Sequence, residues 1–152
     1  MTAYTVEQWT KGAPFSLNET LGTFRKVSIK IDFSGTFTTT AGALGSVAGL
    51  VASDTVKLLT IPAGTYVLGV KNKVITAQGA TCTMGVGDSA GATTYGSAQN
   101  LNTTTDAFNV PSTNTAGKYY AAADYILLTA GHTTNVAVVE FEVILCDLTL
   151  GK

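Results

Sequence analysis

The sequence predicts an all-β protein: an antiparallel β-sandwich, jelly-roll or Greek-key in connectivity, carrying an irregular N-terminal arm. Three observations support that expectation. Apolar and polar residues alternate with a period of two along Phe24–Phe33 and again along Ala137–Leu145, the signature of strands with one buried face. Clusters of Gly, Pro, Asn and Asp punctuate the chain into about seven to nine candidate strands, spaced as in a sandwich or barrel. No stretch offers a crossover helix of the kind parallel strands need, so antiparallel pairing is expected.

The 152 residues suffice for one domain with a sizeable core. Only 12% of them are charged, about half the usual share. Thr, Ala, Gly, Ser and Asn fill the difference, which suits strands with hydroxyl-covered outer faces. A surface poor in Lys and Glu lacks the side chains that normally discourage association, and this points to work inside an assembly. The net charge is −1 and the basic residues are scattered, so no stripe exists to neutralise phosphates and no nucleic-acid partner is expected. The opening MTAYTVEQWTKG has no basic region followed by an apolar run, and no apolar stretch approaches a membrane span. No membrane partner is expected.

Taken in order, residues 1–22 form the arm and residues 23–152 the sandwich. The arm holds Tyr4, Trp9, Pro14 and Phe15 without a sustained period, and either packs on a neighbour or wraps its own domain. In the first strand Val27, Ile29, Ile31 and Phe33 face inward, opposite Lys26, Ser28, Lys30 and Asp32, and a bulge or bend follows near Ser34-Gly35. Residues 41–53 are rich in small side chains and read as a loop with a helical turn, since three glycines oppose a stable helix. Thr55–Ile61 is a strand turned by Pro62-Ala63-Gly64. Thr65–Thr76 follows, with Tyr66, Leu68, Val70 and Val74 inward and Thr65, Lys71 and Lys73 outward. After Gln78-Gly79 comes Thr81–Val86, with Cys82, Met84 and Val86 inward. Shorter strands are expected around Thr93–Ser97, Phe108–Val110, Tyr119-Tyr120 and Tyr125–Thr129. The last strand buries Ala137, Val139, Phe141, Val143 and Leu145.

Catalytic chemistry finds little to stand on. Glu140 and Glu142 share a strand face, but this is the outer face, where solvent or a basic residue of a partner is expected to meet them. His132 lies in a Gly-His-Thr-Thr turn with no nucleophile elbow elsewhere. Gly87-Asp88-Ser89 and Asn100–Asn102 are explained by turn formation without calcium. Cys82 and Cys146, with one His, make no zinc set, and a bridge between them is left open. No enzyme, metal or cofactor is expected. Tyr95, Tyr119 and Tyr120, in loops or at loop edges, are either packing residues or a platform for sugar rings.

One pattern goes further. Ile61-Pro62-Ala63-Gly64 ends a strand and precedes a long Val-rich one; Val86-Gly87-Asp88 ends a Thr/Val strand; Tyr119-Tyr120 and Ala122-Ala123-Asp124 follow. Across roughly residues 54–148 this resembles small virion proteins of tailed bacteriophages, of the capsid decoration or cement type. The resemblance implies a jelly-roll-like sandwich, commonly a homotrimer, on the capsid exterior. It would be assembled in the host cytoplasm and would bridge subunits of the major capsid protein. It brings no catalytic residue. On that reading Tyr4, Trp9, Pro14 and Phe15 are the expected partner contacts. The alternative is a tail-fibre or receptor-binding β-domain that recognises host glycans. A cellular carbohydrate-binding or adhesin-like module is a third reading, disfavoured by the missing leader.

Overall fold

The computed structural model describes residues 3–5, 10–11, 15–16, 23–38, 46–111 and 117–148, with side chains over 24–35, 49–111 and 117–148. These contain fourteen strands: β1 Ala3–Thr5, β2 Thr10–Lys11, β3 Phe15–Ser16, β4 Thr23–Asp32, β5 Thr36–Thr38, β6 Ser46–Ala48 and β7 Thr55–Ile61. Then come β8 Thr65–Thr76, β9 Thr83–Asp88, β10 Gly91–Asn100, β11 Asp106–Asn109, β12 Lys118–Tyr120, β13 Asp124–Ala130 and β14 Val138–Asp147. The count exceeds the expected one through β1, β2, β3, β5 and β6, pieces of two or three residues with no period to read.

Two sheets pack as a sandwich. Sheet A runs β1-β7-β13-β9-β10, and sheet B runs β11-β8-β14-β4-β2. β12 also pairs with β8, β3 with β4, and β5 with β6 as a separate ribbon. Without the short additions, sheet B reads β4-β14-β8-β11 and sheet A reads β7-β13-β9-β10. Successive strands then change sheet at every step except β9 to β10, which is the double Greek key of a jelly roll. One pair departs from the expected antiparallel rule: β1 lies parallel to β7, with Ala3 opposite Thr55. About fifty residues separate the two, and that length of chain makes the return that a hairpin cannot.

The core is what the alternation foretold at both ends of the chain. Ile29, Ile31 and Phe33 from β4 and its exit, and Val139, Phe141 and Val143 from β14, are all but inaccessible. They meet Val56, Leu58 and Ile61 of β7, Ile126 and Leu128 of β13, and Met84 and Val86 of β9. Each such side chain stabilises the fold by about 1.5–3 kcal/mol when taken out of water. Where a bulge or bend is expected near Ser34-Gly35, the chain turns after β4, with Gly35 N donating to Asp32 O at 3.1 Å. Ser34 also donates from its hydroxyl and its amide to the Asp32 carboxylate, which holds that carboxyl below its ordinary value.

Two expectations are corrected. In β8 the buried residues are Thr65 and Val67, then Val70, Asn72 and Val74, so Tyr66 and Leu68 face outward. The cause is a bulge: Leu145 pairs with Val67 and Ile144 with Gly69, leaving Leu68 as an extra residue that inverts the alternation. Within residues 41–53, Ser46–Ala48 is a strand paired with β5 rather than a helical turn, and residues 41–45 lie outside the described residues.

Candidate functional site

Of the residues weighed for catalysis, Glu142 and His132 make contacts within the chain. Glu142 meets Lys26 at 2.7 Å and Lys71 at 4.0 Å, and Lys71 also meets Asp106 at 3.1 Å. This charge ladder crosses β4, β14, β8 and β11 on the outer face of sheet B. Its basic partners within the chain are Lys26 and Lys71. The hydrogen bond from Lys71 to Asp106 raises the lysine above its ordinary value. His132 is exposed and shares a 3.2 Å hydrogen bond with the Thr83 hydroxyl. No group of three or more His, Cys, Asp or Glu able to hold a metal occurs among the described residues. Cys82 and Cys146 are both buried, and no disulfide joins them. Cys82 instead contacts the Thr134 hydroxyl at 3.0 Å.

Two of the three tyrosines considered for sugar stacking are interior. Tyr95 is 1% exposed and Tyr120 4%, and their hydroxyls lie 2.8 Å apart. Only Tyr119 projects, at 52%. β12 alternates like any strand, so burial of Lys118 and Tyr120 toward the sandwich turns Tyr119 outward.

What buries Tyr120 is a carboxylate that sequence reasoning assigned to a turn alone. Asp88, 1% exposed, ends β9 in sheet A. One of its oxygens accepts from the Ala90 and Gly91 amides at 3.0 and 3.1 Å and from the Thr94 hydroxyl at 3.0 Å. The other accepts from Lys118 Nζ at 2.5 Å and the Tyr120 hydroxyl at 2.6 Å, both on β12. Tyr120 gives its one proton to Asp88, so Tyr95 donates to Tyr120. Burial works against the charge on Asp88, but the bonds from Lys118, Tyr120 and Thr94 outweigh it and hold the carboxyl below its ordinary value. Burial pushes both tyrosine hydroxyls well above theirs, and Tyr120 is pushed further by its bond to Asp88. The available signal was the alternation Lys118-Tyr119-Tyr120 beside an Asx turn, which shows that something inside must accept from a lysine but not which residue does.

Exposed apolar side chains gather at the two ends of β8. Tyr119 pairs opposite Tyr66 at its start, where Leu148, 48% exposed, donates its own amide to Gly64 O at 3.1 Å. Ile75 lies at the other end, near Val136 (48%) and Val51 (54%), which flank the bridge of Leu50 to Thr134. Tyr66 and Ile75 are nine residues apart on β8 (75 − 66), which places these groups about 30 Å apart. Along the side between them, edge strands β10 and β11 line an open groove of about 430 Å³ with Thr93, Tyr95, Gly96, Ser97, Phe108, Asn109 and Val110. Phe108 is 51% exposed there.

Of the expected contact residues, Tyr4 lies in β1 and Phe15 in β3, whose backbones pair with β7 and β4. Trp9 and Pro14 lie outside the described residues.

The fold places the chain among jelly-roll sandwiches, and comparison with known proteins narrows the likeness. No protein-family model matches the chain, and no curated protein matches it in sequence. Three solved structures share its fold over nearly the whole length. A chain of the acidic stable capsid structure of Helicobacter pylori bacteriophage KHP30 superposes with a TM-score of 0.59 at 10% identity, over 83% of this chain and 89% of that one. A chain of the cyanophage Pam1 capsid gives 0.58 at 18% identity, covering 93% of each. A chain of the Ralstonia phage GP4 capsid gives 0.54 at 9% identity, over 94% and 90%.

Proposed function

We propose that this chain is a structural protein of a phage capsid, and specifically a head decoration or cement protein. In this role a homotrimer on the capsid exterior bridges subunits of the major capsid protein. The observation that carries the reading is the near full-length fold likeness to chains of three phage capsids. The role is mechanical. A bridging protein needs two attachment areas held at a fixed distance, and a jelly roll with exposed apolar groups at both ends of its longest strand supplies them. A stable contact buries about 1,200–2,000 Å² in total. Residues 1–22 act as an arm on the 23–152 sandwich, with Tyr4, Trp9, Pro14 and Phe15 among the contacts to a neighbour.

Negative-stain imaging of virions treated with an antibody to this protein tests the reading. Label over the whole head is expected. Label confined to the tail moves the protein to the receptor-binding alternative, for which Phe108 and the groove beside it are the available sugar platform. Absence of label from the particle overturns both. Within the cement reading, Trp9→Ala should weaken rebinding to undecorated heads while leaving the monomer folded, and unchanged rebinding removes the arm from the interface.

A further inference from the structure

We propose that Asp88 is a latch: its ionised carboxylate holds β12 of sheet B against the β9–β10 turn of sheet A, and protonation frees β12 and uncovers Tyr95 and Tyr120. The inference does not depend on the capsid reading. β12 has only three residues and pairs with β8 through Lys118–Val67, Tyr119–Tyr66 and Tyr120–Thr65. Two further bonds reach this segment, from Gly64 N to Tyr120 O at 2.8 Å and from the Tyr66 hydroxyl to Gly117 O at 3.3 Å. A strand this short is marginal by pairing alone. Its two side chains that turn toward the sandwich both end on the same carboxylate oxygen of Asp88.

The groups facing Asp88 are few. β12 supplies Lys118 and Tyr120, and β10 supplies Thr94, with Tyr95 behind Tyr120. From the start of β13, Asp124 is bonded to the Ser89 hydroxyl and amide, one residue beyond the latch. Protonation removes the charge that Lys118 neutralises and one acceptor position. Lys118, 31% exposed, then gains more from water than from the interior. Its loss leaves Tyr120 with a weaker acceptor. The sign is fixed by the position of the carboxyl below its ordinary value. The latch contributes its full stability above the ordinary aspartate pKa of about 3.9 and loses it as the pH falls through the lower value of the folded protein. β12 is therefore closed at neutral and mildly acidic pH and opens only in strong acid.

Amide exchange read on peptides covering 117–121, with β14 as internal reference, tests this on the whole chain. Asp88→Asn should accelerate exchange at 117–121 roughly tenfold or more at pH 7 while β14 stays protected. Wild type should reach the same state, corrected for intrinsic rates, only in strong acid. Lys118→Met should stay closed at pH 7 but open at a higher pH than wild type, because the carboxyl has lost its cation. Unchanged exchange in Asp88→Asn overturns the latch. So does loss of β14 protection together with β12, which would make Asp88 a determinant of the entire sandwich. An opening pH unmoved by Lys118→Met also overturns it.

Discussion

Gln78 shows how much one side chain outside the core can organise. Its Oε1 accepts from the amides of Asn135, Val136 and Ala137 at 3.1, 3.0 and 3.1 Å, while its Nε2 donates to Asn135 Oδ1 at 2.7 Å. One oxygen thus fixes the turn that feeds β14. Gln78→Ala should lower stability by about 1–2 kcal/mol in urea unfolding, and Gln78→Glu by less, because the carboxylate still accepts from the three amides. Nothing local announces this role: Gln78 and Gly79 read as a turn, and the amides it serves lie 57 to 59 positions away. Tyr95 and Tyr120 were opaque for the same reason. Alternation says that one of Tyr119 and Tyr120 is interior, but the choice rests on Asp88, 32 residues earlier.

Strands were legible in their placement and less so in their facing. β7 and β8 begin and end where the turn residues say, because Pro62-Ala63-Gly64 and Gln78-Gly79 are strong punctuation, and Gly64 takes the positive φ of 81° that the first turn demands. The facing of β8 failed at Leu68 because a bulge leaves no mark on composition. Beside that bulge, Gly69 has no room for a side chain. A Cβ there would lie 2.5 Å from Phe108 Cζ and 2.6 Å from Asn109 O. Gly69→Ala should cost about 1–3 kcal/mol by thermal or urea unfolding and loosen β11 first. Adding Phe108→Ala should recover only part of the loss, since the carbonyl remains in the way. On the neighbouring face, Glu142→Gln should leave the urea midpoint nearly unchanged, because the pairs it breaks are solvent-screened.

Across the molecule, the two thiols set an expectation about redox conditions. Cys82 and Cys146 are buried and unbridged, and burial raises the Cys146 thiol above its ordinary value. The melting temperature should be the same with and without reductant, and a thiol reagent should react only as the protein unfolds. A difference between the two melts would indicate a bridge. The jelly-roll order itself was half visible. Alternation and turn residues pointed to a sandwich, but strand order depends on which distant faces meet, and neither the parallel β1–β7 pair nor the position of β14 has a local signature. That position has a consequence for synthesis. β14 lies between β8 and β4, and its pairing with β4 joins residues as far apart as Thr23 and Asp147, 124 positions along the chain (147 − 23). Until residues 138–147 have left the ribosome, β4 and β8 each present a long unpaired edge, and sheet B has no centre. Pairing over such separations is slow, and open edges of nascent chains are where one copy joins another by mistake. The protein is therefore most exposed to aggregation before β14 has emerged, and shortening the chain before Asp147 should shift it from the soluble to the insoluble fraction.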